Sequence, residues 1–144
     1  MRLGSRSQGG VVTEPFIFVN TYRVKDGKLE DYKRSAQRVV DLANAKEPDM
    51  VHFSFYVSED GTEVTTVQVH RNAQNMAYHM ELIAPHLEEA YEYLDMSDMT
   101  IEIYGTPPDA MVTQMKQLAA PGATVTARSP LAGFTRIAET AATS

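Results

Sequence analysis

The sequence predicts an α+β domain of element order β-α-β-β-α-β, followed by a C-terminal extension holding a further helix and strand. Three observations predict it. Short runs rich in β-branched and aromatic residues alternate with two longer stretches whose apolar positions recur every three or four residues. Turn and breaker residues separate them at Lys25-Asp26-Gly27, Pro48, Glu59-Asp60-Gly61 and Pro107-Pro108. A length of 144 residues suits one core. The order is that of the ferredoxin-like split βαβ unit.

Phe16 to Val24 follows Pro15 and reads as the first strand. Alternation puts Phe16, Phe18, Asn20, Tyr22 and Val24 on one face and Ile17, Val19, Thr21 and Arg23 on the other. Both faces are largely apolar, so both need cover. A single helix layer covers one; a second copy of the same sheet is the simplest cover for the other, which predicts a homodimer. The first helix follows the Lys25-Asp26-Gly27 turn, with Asp26 or Gly27 as its cap and Leu29, Tyr32, Ala36, Val39, Val40 and Ala43 facing inward. Pro48 stops it.

Met50 to Ser58 is the second strand, and Asp60-Gly61 supplies the tight turn into the third, Thr62 to His70. Asn72 caps a second helix from about Ala73 to about Leu94, which Pro85 is expected to kink or split. Met99 to Tyr104 is the fourth strand. Beyond Pro107-Pro108, Asp109 can cap a short helix, Ala110 to Ala120, with Met111, Met115 and Leu118 on one side. Ala123 to Arg128 looks strand-like, and Leu131 to Ile137 is an apolar tail. The chain thus divides into a disordered tail (1–14), a folded domain (15–105) and an extension (106–144) that packs on the domain or reaches across the dimer; 138–144 also reads as disordered.

Thirteen basic against 19 acidic residues give a net charge of −6, which argues against a nucleic-acid or anionic-membrane partner. No apolar run reaches membrane-spanning length, and no h-region opens the chain. Without cysteine there is no thiol nucleophile, disulfide or zinc–cysteine site. A cytoplasmic location is the default expectation. Phosphate-binding loops, Ser-His-Asp order and dinucleotide fingerprints are missing.

Three of the four histidines fall between His70 and His86. Helical spacing puts His79, Ile83, His86 and Ala90 on one stripe or adjoining stripes, where they would line a mostly apolar pocket with a few polar points. The competing reading makes the histidines half-wet flank residues and Tyr22 a core residue with its hydroxyl at the rim. His70 ends the third strand, at the expected pocket mouth. His79 and His86 lie seven apart with no placed carboxylate, so no metal site is expected.

The run Phe16-Ile-Phe-Val-Asn-Thr-Tyr-Arg-Val-Lys-Asp-Gly27 resembles the opening of the antibiotic biosynthesis monooxygenase (ABM) family of dimeric α+β-barrel proteins, and His79-Met-Glu-Leu-Ile-Ala-Pro85-His86-Leu87 resembles its second-helix signature. The resemblance spans roughly Phe16 to Tyr104. It implies a dimeric α+β barrel, and a cofactor-independent monooxygenase acting on a small aromatic or enolisable substrate. Asn20 matches a first-strand Asn that orients substrate in several such oxygenases. It implies His79, Asn20 and Tyr22 as the catalytic set, with His79 as the base, and His86, Phe18, Tyr32, Ile83 and His70 as substrate contacts. The haem-degrading branch of the family carries a Trp and a His on the second helix. This chain has no Trp, and His79 and Glu89 fall near those two places, so haem degradation is not expected. Two further readings stay open: a non-catalytic dimeric binding module, and an interaction protein whose helices pack solidly on the sheet. The volume between sheet and second helix separates the last from the others.

Overall fold

The computed structural model describes residues 15–119 and 121–136. The expected tails, 1–14 and 138–144, lie outside the described residues, as do Ile137 and the side chain of Leu118. Five strands form one sheet of order β2-β3-β1-β4-β5. They are β1 (Phe16–Val24), β2 (His52–Val57), β3 (Glu63–His70), β4 (Leu94–Tyr104) and β5 (Thr124–Arg128). β1 lies between β3 and β4, antiparallel to both, and β5 joins β4 in parallel. The helices are α1 (Leu29–Lys46), α2 (Ala73–Ala90) and α3 (Asp109–Leu118). The expected α+β, ferredoxin-like order is what forms, with β5 added at the edge.

Alternation on β1 decides the core. Phe16, Phe18, Tyr22 and Val24 are buried under the helices, while Ile17 and Arg23 on the opposite face stay exposed. No helix covers that opposite face among the described residues. Position by position, β1 sets Asn20 beside Thr66 and Phe18 beside Gln68 of β3. The polar residues of two strands therefore meet on the covered face.

Several boundaries differ from the sequence pattern. The N-cap of α1 is Lys28, with no side-chain cap, while Gly27 takes the turn at φ +74°. Asn72 does cap α2, accepting a hydrogen bond from the Asn75 amide at 2.8 Å. α2 runs through Pro85 in one piece. A proline here removes only the bond to the Glu81 carbonyl, and both residues face solvent, where water can serve that oxygen. The helix ends at Ala90 and tightens into a 3₁₀ turn, Tyr91–Tyr93, so Leu94 opens β4 five residues before the expected Met99. The inward positions of β4 are Leu94, Met96, Met99, Ile101 and Ile103; the break in alternation at Ser97-Asp98 hid the first half of the strand.

The extension docks on the domain through α3 and β5. Met115 is buried in the main core. The Gly105 amide donates to the Arg128 carbonyl. Gly122, at φ +91°, lies so close to Ser97 that a Cβ would sit 2.5 Å from its carbonyl oxygen, so only glycine fits there. Leu131 and Phe134, in contrast, are fully and largely exposed, Phe134 carrying the Arg136 guanidinium 4.4 Å from its ring centre.

Candidate functional site

Between the covered face of the sheet and the three helices lies a cavity of about 660 Å³, within the size range of small-molecule sites. Helices packed solidly on the sheet are thereby ruled out. Its floor is Phe18, Asn20 and Tyr22 of β1, Thr66 and Gln68 of β3, Phe53 and Phe55 of β2, and Met99 and Ile101 of β4. Tyr32, Ser35 and Val39 of α1 and Met80, Ile83 and Leu87 of α2 form the roof. Glu81, Ala84 and Glu88 of α2 and Gln114 of α3 line it while remaining exposed, which places the mouth between these two helices.

The polar groups of the wall cluster on β1 and β3. The Tyr22 hydroxyl is bonded to the Tyr32 hydroxyl and to Thr66 Oγ1, the latter at 2.9 Å. Burial pushes both phenols above their ordinary pKa; beside Tyr22, Tyr32 is also opposed by its neighbour's charge. Both therefore stay protonated donors at neutral pH. Asn20 differs: its Oδ1 is buried and has no hydrogen-bond partner in the protein. Such an acceptor costs about 1–3 kcal/mol unless something meets it. A ligand hydroxyl or amine in the cavity is the group that would.

Of the expected site residues, Asn20, Tyr22, Phe18, Tyr32, Ile83 and His86 all line this cavity. His79 and His70 do not. His79 is fully buried in a layer behind the wall, its Nδ1 2.6 Å from Glu47 Oε2 and its ring against Phe53. The helical stripe turned His79 inward as predicted, but toward the C-terminal end of α1, where Glu47 waits, rather than toward the cavity. His70 is not at a mouth either. Strand alternation turns it to the covered face, where it is wholly buried beside the His79 ring of α2 and bonded through Nε2 to Gln68 Oε1 at 2.8 Å.

Burial governs the protonation of this second cluster. It pulls His79 down to about 4 and, with the neighbouring His79 adding to it, His70 down to about 3. The same desolvation pushes Glu47 up to about 7. Glu47 and His79 thus favour a net-neutral pair holding one proton between them. The two rings lie 5.1 Å apart, with His70 Nδ1 and His79 Nε2 both buried and without hydrogen-bond partners. Among the described residues no group of three or more His, Cys, Asp or Glu could hold a metal ion.

Glu47, Thr66, Gln68 and the β2 phenylalanines were not singled out in the sequence. A signal for Glu47 existed: an acid closing a helix next to Pro48 opposes the helix dipole and needs a local reason. For Gln68 the signal was β3 itself, where Thr66, Gln68 and His70 share one face while Val67 and Val69 share the other.

No protein-family model matches the chain, and no curated protein matches it. Solved structures do. A proposed antibiotic biosynthesis monooxygenase from Nitrosomonas europaea superposes with a TM-score of 0.58 at 17% identity, covering 67% of this chain and 94% of its own. A second protein of that description, from Caulobacter crescentus, gives 0.58 at 12% identity over 63% and 88%. The fold is ABM-like. MupZ from Pseudomonas fluorescens superposes over more of the chain: TM-score 0.70, 17% identity, 88% of this chain and 93% of that one. The two ABM-named neighbours cover roughly the share of the chain taken up by β1 to β4, whereas the MupZ match takes in most of its length. No helix among the described residues is long and apolar enough to cross a membrane.

Proposed function

We propose that this chain is a cofactor-independent monooxygenase of the antibiotic biosynthesis type, acting in the cytoplasm as a homodimer on a small aromatic or enolisable substrate. The observation that carries the reading is the unpartnered Asn20 Oδ1 in the wall of a largely apolar cavity. A phenol or enol hydroxyl donates to it, while Tyr22 and Gln68 lie close by on the same floor. Loss of the substrate's proton leaves an electron-rich anion, which reacts with dioxygen directly. The overall change at a ring-activated methylene is R₂CH₂ + O₂ → R₂C=O + H₂O; the substrate supplies all four electrons, so no external reductant is needed.

His79 is not assigned as the base, because a neutral ring behind the wall cannot reach a cavity occupant. His86 lines the cavity and is only half-buried, so it is the one histidine of the expected set that reaches both the cavity and solvent. The uncovered sheet face, with Ile17 and Tyr56 exposed, supports dimerisation through that face; sedimentation at micromolar concentration giving a monomer would contradict it.

Oxygen uptake with an anthrone or hydroquinone tests the activity. We expect one O₂ consumed per product without added metal or reductant, and loss of that uptake in Asn20→Ala. A second reading, a non-catalytic binding module, is favoured by the absence of His70 and His79 from the cavity wall. Saturable binding with no oxygen consumed would select it.

A further inference from the structure

Resting on the reading that the cavity is the ligand site, we propose that the C-terminal extension completes it with a methionine-lined compartment, and that the ligand is amphipathic: a hydrogen-bonding ring head and an uncharged apolar tail. The cavity floor changes character across the sheet. From β2 to β4 it spans three strand spacings, about 14 Å at about 4.8 Å each. Its polar groups, Asn20, Tyr22, Thr66 and Gln68, are confined to β1 and β3, with Phe53 and Phe55 of β2 beside them. The β4 end offers Met96, Met99 and Ile101, and α3 closes over the same cavity with Met111 and Met115.

With Met80 of α2, five of the chain's eight methionines line this one cavity. All five also belong to the hydrophobic core or pack against it, so the wall they form is continuous with that core. Unbranched, polarisable thioether chains adapt to flexible apolar groups, which is why they gather at surfaces binding variable apolar partners. Charge points the same way. No Lys or Arg lines the cavity, and Glu81 and Glu88 stand at its mouth. A carboxylate or phosphate tail would find no counter-charge and would be repelled on entry. The head therefore carries the polarity, and the tail is neutral.

Affinities of full-length protein for hydroquinones carrying unbranched alkyl chains of increasing length test the proposal, read by isothermal titration without oxygen. Each methylene buried in the compartment should tighten binding by about fourfold, the factor expected for removing a CH₂ from water, until the compartment is full. Met111→Trp and Met96→Trp, from opposite walls, should each flatten that rise, with circular dichroism confirming the fold. Gln68→Leu should weaken every member while keeping the rise. If the parent hydroquinone binds but affinity ignores chain length, or the rise survives both tryptophans, the compartment is not a tail site and the cavity reading alone stands. If no member binds, the cavity reading itself falls.

Discussion

Two polar clusters lie a side chain apart on the covered face of this sheet, and they do opposite things. One, made of Asn20, Tyr22, Tyr32, Thr66 and Gln68, opens on the cavity; within it Asn20 keeps an acceptor unsatisfied. The other, His79 with Glu47 and His70 with Gln68, is sealed, and its short bonds are made within the protein. Gln68 belongs to both. Held through Oε1 by His70, it also lines the cavity. The lesson is about access: imidazole chemistry suggests catalysis, but an imidazole shut behind phenylalanine and paired with a carboxyl group is a structural fastener. The amide with a vacancy is the better sign of a ligand.

Mutation separates the two clusters by their roles. Asn20→Ala should lower kcat/KM for oxygen uptake on the order of tenfold or more, as for a lost hydrogen bond that orients the substrate hydroxyl. The melting temperature of the ligand-free protein should hold or rise, because the substitution removes a buried acceptor that has no protein partner. His79→Ala should do the reverse. Removing a fully buried ring and stranding Glu47 should cost about 2–4 kcal/mol in chemical denaturation, while the folded fraction turns over within a few-fold of the parent. A hundredfold loss of rate in His79→Ala with an intact fold would return the histidine to catalysis.

A subtler effect comes from pH. Glu47 is raised to about 7 from 4.5, so its folded-state preference for the protonated form is fully expressed below pH 4.5 and lost as pH rises toward 7. His79 is lowered to about 4 from 6.5, so its contribution is present above pH 6.5 and lost as pH falls toward 4. Between pH 5 and 7 the two slopes oppose and nearly cancel. Glu47→Gln keeps a hydrogen-bonding partner for His79 but removes one slope. Its stability should therefore rise by about 2 kcal/mol more than the parent's from pH 5 to 7, at 1.36 kcal/mol per pKa unit, while His70, lowered to about 3, adds the same upward slope to both proteins. Urea denaturation across that range checks it; parallel curves would mean the pair does not titrate as described.

The smallest effect is expected at the hydroxyl bridge. Tyr22→Phe removes the partner of both Tyr32 and Thr66 and should cost about 1 kcal/mol, with a weaker affinity for phenolic ligands. An unchanged Tm together with unchanged affinity would make the bridge incidental.

Much of this was legible beforehand because it depends on local periodicity. The alternation of β1 put Phe18, Asn20 and Tyr22 on one face, and the stripes of α1 and α2 turned Tyr32, Ile83 and His79 inward. What periodicity cannot supply is depth. It gives the direction of His79 but not whether a cavity or Glu47 lies in that direction, since Glu47 is 32 residues away and arrives only when α1 packs beside α2. His70 was misplaced for the same reason: a strand end looks like a rim until a helix turn covers it. The methionines of β4 and α3 were visible as apolar positions, yet their common cavity depends on β5 pairing in parallel with β4 and bringing α3 back over the sheet.

The central claim is that ligand meets the Asn20 cluster and leaves the His79 pair untouched. Nuclear magnetic resonance of side-chain amide and imidazole nitrogens during titration with a hydroquinone, oxygen excluded, tests it most directly. The Asn20 carboxamide signals should shift with saturating dependence on ligand, while the His79 nitrogens hold the shifts of a neutral, Glu47-bonded ring. A His79 ring that gains a proton or changes tautomer as ligand binds, with Asn20 unmoved, would contradict it.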